Sequence, residues 1–228
     1  MNRLLSKANS LLQYSSDLHL EKGFKRIIHP SKPYLVLAGD IGYPEDINYK
    51  NFLLEMSFLF DKIFVVSGNH EFDKLLDKRE LFPIEEKIKN ICNMRNNLFY
   101  LQKSEHLLDK ENNIYLAGCT LFSELPRVKT HIHVDHTKWI FDTINKNHNK
   151  NYVIATHHCP TIQLLKGKYH NFLPKYFVSE QYDVYSRNNV IMWIYGHTHK
   201  NINMTINDTL FVSNQYGCKI NPINDYKI

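Results

Sequence analysis

The sequence predicts an α/β fold, a sandwich of mixed β-sheets flanked by helices. Apolar runs of strand length recur along the 228 residues, and each ends abruptly in small and polar residues. Segments with helical spacing alternate with these runs. Continuous apolar runs rich in Val, Ile, Leu and Tyr mark strands covered on both faces, and their alternation with helices points to layered sheets.

The elements follow in chain order. Strands are expected within "LLQYSSDLH" (11–19), "PYLVLAGD" (33–40), "KIFVVSGNHE" (62–71), "NIYLAGCTLF" (113–122), "NYVIATHHCP" (151–160), "VIMWIYGHTH" (190–199) and "TLFVSNQYG" (209–217). A helix is expected over Ile47–Phe60, where Phe52, Met56, Leu59 and Phe60 recur at helical spacing. A second covers "PIEEKIKNIC" (83–92), opened by Pro83, which the first turn of a helix tolerates. A third covers "HVDHTKWIFDTINKN" (133–147), where Trp139, Ile140 and Ile144 fall on one face. "NLFYL" (97–101) reads as an extra, hairpin-like strand. Thr161–Asn189 carries Lys166, Lys168, His170, Lys175 and Arg187 with weak periodicity, and a connection of that length is expected to act as a lid on the substrate side.

Composition narrows the class. At this length one domain over residues 1–228 is expected. Hydrophobic content of 43% with 22% charged residues excludes disordered and membrane-embedded classes. No apolar run reaches the ~20 residues of a bilayer span. A net charge of +5 is compatible with anionic substrates, but does not by itself indicate a nucleotide or nucleic-acid partner. Cys92, Cys119, Cys159 and Cys218 are widely spaced and lie mostly beside apolar residues, as expected of reduced thiols. Polar residues break up the apolar positions at the N-terminus, so no signal peptide is expected and a cytoplasmic location is.

The polar residues at the strand ends carry the chemistry. They are Asp17 and His19, Asp40, Asn69 and His70, His157 and His158, and His197 and His199. All fall where an α/β sheet presents its carboxyl edge, the usual place for ligands. His197 and His199 stand two residues apart, a spacing that puts both on one side of an extended chain. Imidazole, carboxylate and amide oxygen together suit Mn, Fe or Zn better than Ca or Mg. Asp40 can offer oxygen to two ions and hold them roughly 3.5–4 Å apart, the separation that serves phosphoryl displacement. Gly39, Gly68 and Gly196 just precede these residues and allow sharp turns and close approach.

With "DLH", "GD", "GNHE", "THH" and "GHTH" in this order, the chain resembles the calcineurin-like metallophosphoesterases from Tyr14 to Gly217. The resemblance implies a four-layer α/β/β/α sandwich and two divalent ions. One is held by Asp17, His19, Asp40 and His199, the other by Asp40, Asn69, His157 and His197. It implies His157, the first residue after its strand, as the ligand, leaving His158 to face substrate or to pack. His70 corresponds to the non-ligand histidine beside the leaving group, so His70, Asp40 and Asn69 form the implied catalytic set. The implied activity is hydrolysis of a phosphate ester by a water activated between the ions. A phosphodiesterase or broad-specificity enzyme is favoured, because Ile41 follows "GD" where the Ser/Thr protein phosphatases carry a basic motif with Arg.

The alternatives are an inactive scaffold that recruits protein partners and a Ser/Thr protein phosphatase. His158, Lys166 and Lys168 are candidate substrate contacts. Glu71 is expected to be structural or to orient a nearby imidazole. "HIHVDH" (131–136) resembles a metal cluster but leads into a helix, so Asp135 is expected to cap or charge the helix start.

Overall fold

The computed structural model describes residues 3–23, 28–75, 80–123, 130–165 and 174–217. One sheet contains β1 (Leu12–Ser15), β2 (Tyr34–Ala38), β3 (Lys62–Val66) and β4 (Leu98–Tyr100) in that spatial order, all parallel. Parallel neighbours need a crossover. Helix α2 (Ile47–Met56) joins β2 to β3, and α3 (Phe82–Cys92) joins β3 to β4. The second sheet is mixed. Its parallel centre is β6 (Ile114–Cys119), β7 (Asn151–Thr156), β8 (Val190–Ile194) and β10 (Thr209–Ser213), with β5 (Ser104–Asp109) and β9 (Ile202–Ile206) antiparallel at its edges. Helix α4 (Thr130–Lys146) joins β6 to β7, while short helices α5 (Pro174–Phe177) and α6 (Tyr182–Tyr185) lie between β7 and β8.

Strand alternation sorts the apolar side chains into layers. Leu35, Leu37, Ile63 and Val65 face α2 and α3, packing on Phe52, Leu53, Ile84 and Ile88. Their neighbours Val36, Ala38, Phe64 and Val66 face the other way and meet Leu116, Val153, Met192 and Val212 of the second sheet. Tyr152, Ile154, Trp193 and Phe211 point outward again, onto Ile140 and Ile144 of α4 and Tyr185 of α6. Three cores thus bind four layers, helix, sheet, sheet and helix.

Some local expectations need correcting. "NLFYL" makes no hairpin: β4 pairs parallel with β3, because α3 carries the chain back before the strand begins. The helix from Ile47 ends at Met56, and Leu59 lies in the following turn, 47% exposed. Helix α1 (Arg3–Leu11) was not anticipated; its Ala8 is buried and Leu4, Leu5 and Leu11 pack against the inter-sheet core. β5 and β9 were also missed. Both are edge strands: the alternation that marks a half-buried strand is weak in "SEHLLD", and in "INMTI" it spans only five residues. Among the described residues no helix is long and apolar enough to cross a membrane.

Phe64 is fully buried between the sheets and stacks on Phe99 with ring centroids 5.4 Å apart. Phe64→Ala is expected to lower stability by about 3–5 kcal/mol, measured by urea unfolding.

Candidate metal centre

The loops after β1, β2, β3, β7 and β8 converge at one edge of the sandwich. Asp17, His19 and His199 form one group and Asp40, His157 and His197 another; within each, potential ligand atoms lie within 4.8 Å of one another. Asn69 joins the second group, its Oδ1 3.1 Å from His157 Nε2. Asp17, His19, Asp40 and His157 are at most 1% exposed. His157 Nε2 lies 3.2 Å from Asp40 Oδ2, and His199 Nε2 3.2 Å from Asp17 Oδ1.

The backbone that presents these residues is tightly wound. Asp17, His19, Asp40, His197 and His199 all have positive φ, between 46° and 67°. This corrects the extended geometry expected for His197 and His199. β8 ends at Ile194, and the two histidines sit in a turn where Thr198 N–H donates to Gly196 O at 2.7 Å. Non-glycine residues in this region are uncommon and cluster at functional sites. Gly39 has φ 87°, and a Cβ there would collide with His157 Nδ1. At Gly68 a Cβ would collide with Asp40 Oδ1, so close approach excludes a side chain.

Hydrogen bonds at the far side of three rings define which nitrogen remains available. His19 Nδ1 is 3.0 Å from Glu21 Oε1, His157 Nδ1 2.9 Å from Ala38 O, and His197 Nε2 3.2 Å from Tyr176 O. Carbonyls and carboxylates accept, so these nitrogens donate and the opposite ones keep a lone pair. In His19 that is Nε2, buried without a hydrogen-bond partner among the described residues. Such an atom, beside two buried carboxylates and further imidazoles, fits a divalent cation.

The electrostatics agree. Burial alone raises the carboxyl pKa of Asp40, but the charge and hydrogen bond of His157, with His70 and His19 nearby, hold it well below the usual range. Asp17 is likewise lowered, His199 and His157 outweighing its burial. In the protein alone, burial opposes protonation of His157, yet Asp40 and Asp17 push it up to about 9. Burial and the charge of His157 push His197 down to about 3.

His70 stands apart, 41% exposed, with Nε2 3.9 Å from Asp40 Oδ2. Its backbone N–H donates to Asp40 Oδ1 at 2.9 Å, and its Nδ1 lies 2.6 Å from Asp73 Oδ2. That hydrogen bond, against partial burial and with Asp40 nearby, raises His70 to about 9. His158 is 3% exposed and packs between Phe122 and His197, its ring centroid 4.1 Å from that of His197. Lys166 and Lys168 lie outside the described residues, as does Cys218.

Of two other expectations one narrows and one changes. Glu71 takes the structural role: its buried carboxyl group accepts from the backbone N–H of Asp40 at 3.1 Å, Ile41 at 2.8 Å and Gly68 at 2.8 Å. It thereby ties the loop after β2 to the loop after β3. In "HIHVDH", His133 Nδ1 donates to Phe122 O and His136 Nδ1 accepts from Leu121 N–H, pinning the loop after β6 to α4. Asp135 lies beyond the first turn of α4, which begins at Thr130, and pairs with Lys103 at 2.6 Å. The expected lid contributes more directly: Tyr176 O fixes His197, and Phe177 packs on the same ring with centroids 5.0 Å apart.

Glu21, Ser16 and Gln215 support the candidate ligands, Asp73 supports His70, and none of the four was foreseen. Glu21 stands two residues after His19 and Asp73 three after His70, so local spacing could have found both. Ser16 Oγ donates to Asp17 Oδ2 at 2.5 Å.

Replacing Glu71 with Gln puts an NH₂ group where one carboxylate oxygen meets an N–H donor. Glu71→Gln is expected to lower stability by about 1–3 kcal/mol, measured by urea unfolding.

Comparison with known proteins leads to the same chemistry. Residues 15–201 match the family model described as calcineurin-like phosphoesterase. The chain is 30% identical to an uncharacterized protein of Acanthamoeba polyphaga mimivirus over 91% of each chain. Its fold is similar to that of a phosphopantetheinyl hydrolase from Mycobacterium tuberculosis, with a TM-score of 0.69 at 16% identity, covering 91% of this chain and 89% of that one. A dimetal phosphatase from Danio rerio is also similar, with a TM-score of 0.56 at 12% identity, covering 89% of this chain and 86% of that one. With a family match across most of its length, this chain belongs to the calcineurin-like phosphoesterases.

Proposed function

We propose that the protein is a two-metal phosphoesterase that hydrolyses phosphate mono- or diesters, with a preference for diesters or a broad range of small esters. The observation that carries this reading is the pair of buried three-residue ligand groups with His70 beside them. In the reading, Asp17, His19, Asp40 and His199 hold one ion and Asp40, Asn69, His157 and His197 the other. When bound, two such ions neutralise a phosphate and acidify a water. The residues do the rest. Asp40 and Asn69 stand where the phosphate docks, and Asn69 can donate to an equatorial oxygen. His70, protonated and held by Asp73, delivers its proton from Nε2 to the departing oxygen.

The preference rests on the residue after "GD". Ile41 is fully buried, so this position cannot contribute a cationic side chain to a phosphate. Of the known relatives, the phosphopantetheinyl hydrolase of M. tuberculosis supports hydrolysis as the reaction class at this fold. Metal analysis of the purified protein, with rates on aryl phosphate monoesters and diesters, tests the proposal. Neither metal nor turnover would leave only the scaffold reading, and phosphopeptides outrunning both small esters would favour a protein phosphatase.

Two outcomes are expected. Each ion at 100 times its dissociation constant adds about 2.7 kcal/mol, so chelation should lower the melting midpoint by roughly 5–10 °C per ion; calorimetric scans with and without chelator check this. His70→Ala should keep both metals and slow turnover by roughly 10²–10⁴-fold. The loss should shrink as the leaving group becomes more acidic, and a constant loss across a leaving-group series would assign His70 to positioning instead.

A further inference from the structure

The half of the centre formed by Asp17, His19 and His199 borders the loop after β2, where Asp17 N–H donates to Gly39 O and His19 N–H to Asp40 O, and takes its other backbone bracing from one segment. Beyond its ladder with β8, β10 runs on and bridges to β1 through Ser16 and Gln215. Ser16 N–H donates to Asn214 O at 3.1 Å, Tyr216 N–H to Ser16 O at 3.0 Å, and Gly217 N–H to Asp17 O at 3.1 Å. Residues 214–217 therefore lace the loop that carries Asp17.

The side chain of Gln215 reaches the other loop. It is fully buried. Its Oε1 accepts from His199 N–H at 2.5 Å, and its Nε2 donates to Thr198 Oγ1 at 2.9 Å and to Lys200 O at 3.0 Å. Its own backbone N–H donates to Asn201 Oδ1 at 2.6 Å. The turn at His199 has φ 46°, a conformation that persists only where its surroundings fix it. Fixing it takes an acceptor for one N–H and donors for two oxygens on the same group, which a side-chain amide supplies and a carboxylate does not.

The second group shares this turn through His197, whose N–H donates to Asp17 Oδ2 at 3.1 Å, but it has further braces of its own. His157 is held by Ala38 O, His197 by Tyr176 O, and the Asp40 loop by Glu71. From these contacts we infer that Gln215 is a positioning residue for the Asp17–His19–His199 site, setting its metal affinity more strongly than that of the neighbouring site. The inference rests on the two-metal reading above, and deepens it by assigning unequal dependence on one brace to the two sites.

Titration of the full-length protein with manganese alone, followed by calorimetry and electron paramagnetic resonance, tests it. Wild type should bind two ions and give a spin-coupled signal. Gln215→Glu keeps the acceptor and loses the donors; Gln215→Met loses both. Each should weaken one site by roughly 10–100-fold, with a smaller change at the other, and shift the coupled signal towards that of an isolated ion. Asn201→Ala, which spares the buried side chain of Gln215, should weaken the same site by less and serves if the first variants do not fold. Equal weakening of both sites, or two unchanged sites in variants that fold, would overturn the inference. A wild-type protein that binds no manganese pair would instead overturn the two-metal reading on which it rests.

Discussion

The structure turns on two carboxylates held almost entirely out of water. Asp17 and Asp40 are at most 1% exposed, and their ion-pair partners among the described residues are histidines rather than Lys or Arg. An isolated buried carboxylate is expensive, and imidazoles satisfy it only while they carry a proton. Protonated imidazoles are poor metal ligands, since ligation needs a free lone pair. The same cluster therefore has two ways to balance its charge, by protons on His157 and its neighbours or by cations. Its backbone is arranged for the second: the carbonyls of Ala38 and Tyr176 take the ring N–H groups of His157 and His197 from behind and leave the inward nitrogens to the site.

That arrangement has a conformational cost. Five candidate ligands occupy the left-handed region, where a non-glycine residue is held at a cost of order 1–3 kcal/mol. The cost is met by cross-bracing between loops. Glu71 joins the loops after β2 and β3, Gln215 joins the β8 loop to the segment that laces β1, and α5 closes over His197. The first two braces bond mainly to backbone groups and so fix a loop's path, whereas the Tyr176 carbonyl holds the His197 ring. The three cores beneath supply rigid strand ends from which these loops start.

This distinction explains how much was legible in the sequence. The positions of Asp17, Asp40, Asn69, His157 and His199 could be read because each follows an apolar run, and continuous apolar runs reveal buried parallel strands. The layers were legible for the same reason. Edge strands were not: β9 is only five residues long, three of them exposed, and its Ile202 and Ile206 are only partly buried against the core. The turn geometry of His197 and His199 was also hidden, because their two-residue spacing fits an extended chain as well as a wound one. Gln215 was invisible as a brace, since its partners Thr198, His199 and Lys200 lie 15–17 residues away and are reached largely through backbone atoms. Glu71 was noticed within "GNHE", but its partners are amides, and nothing in residue type reveals a backbone donor.

Depth separates the roles within the site. Groups that hold cations gain from burial, because low local dielectric strengthens each charge interaction. A proton donor to a departing oxygen has the opposite need, since the leaving group must reach it from solvent. The structure distributes its histidines along this gradient: His157 is fully buried, His199 is 31% exposed, and His70 is 41% exposed. Asp73, itself 36% exposed, accompanies His70 to the surface and keeps its Nδ1 engaged, so that Nε2 faces Asp40. In the proposed reaction a phosphate enters over His199 and His70, meets Asp40 and Asn69 at its inner face, and leaves its alcohol at the exposed rim.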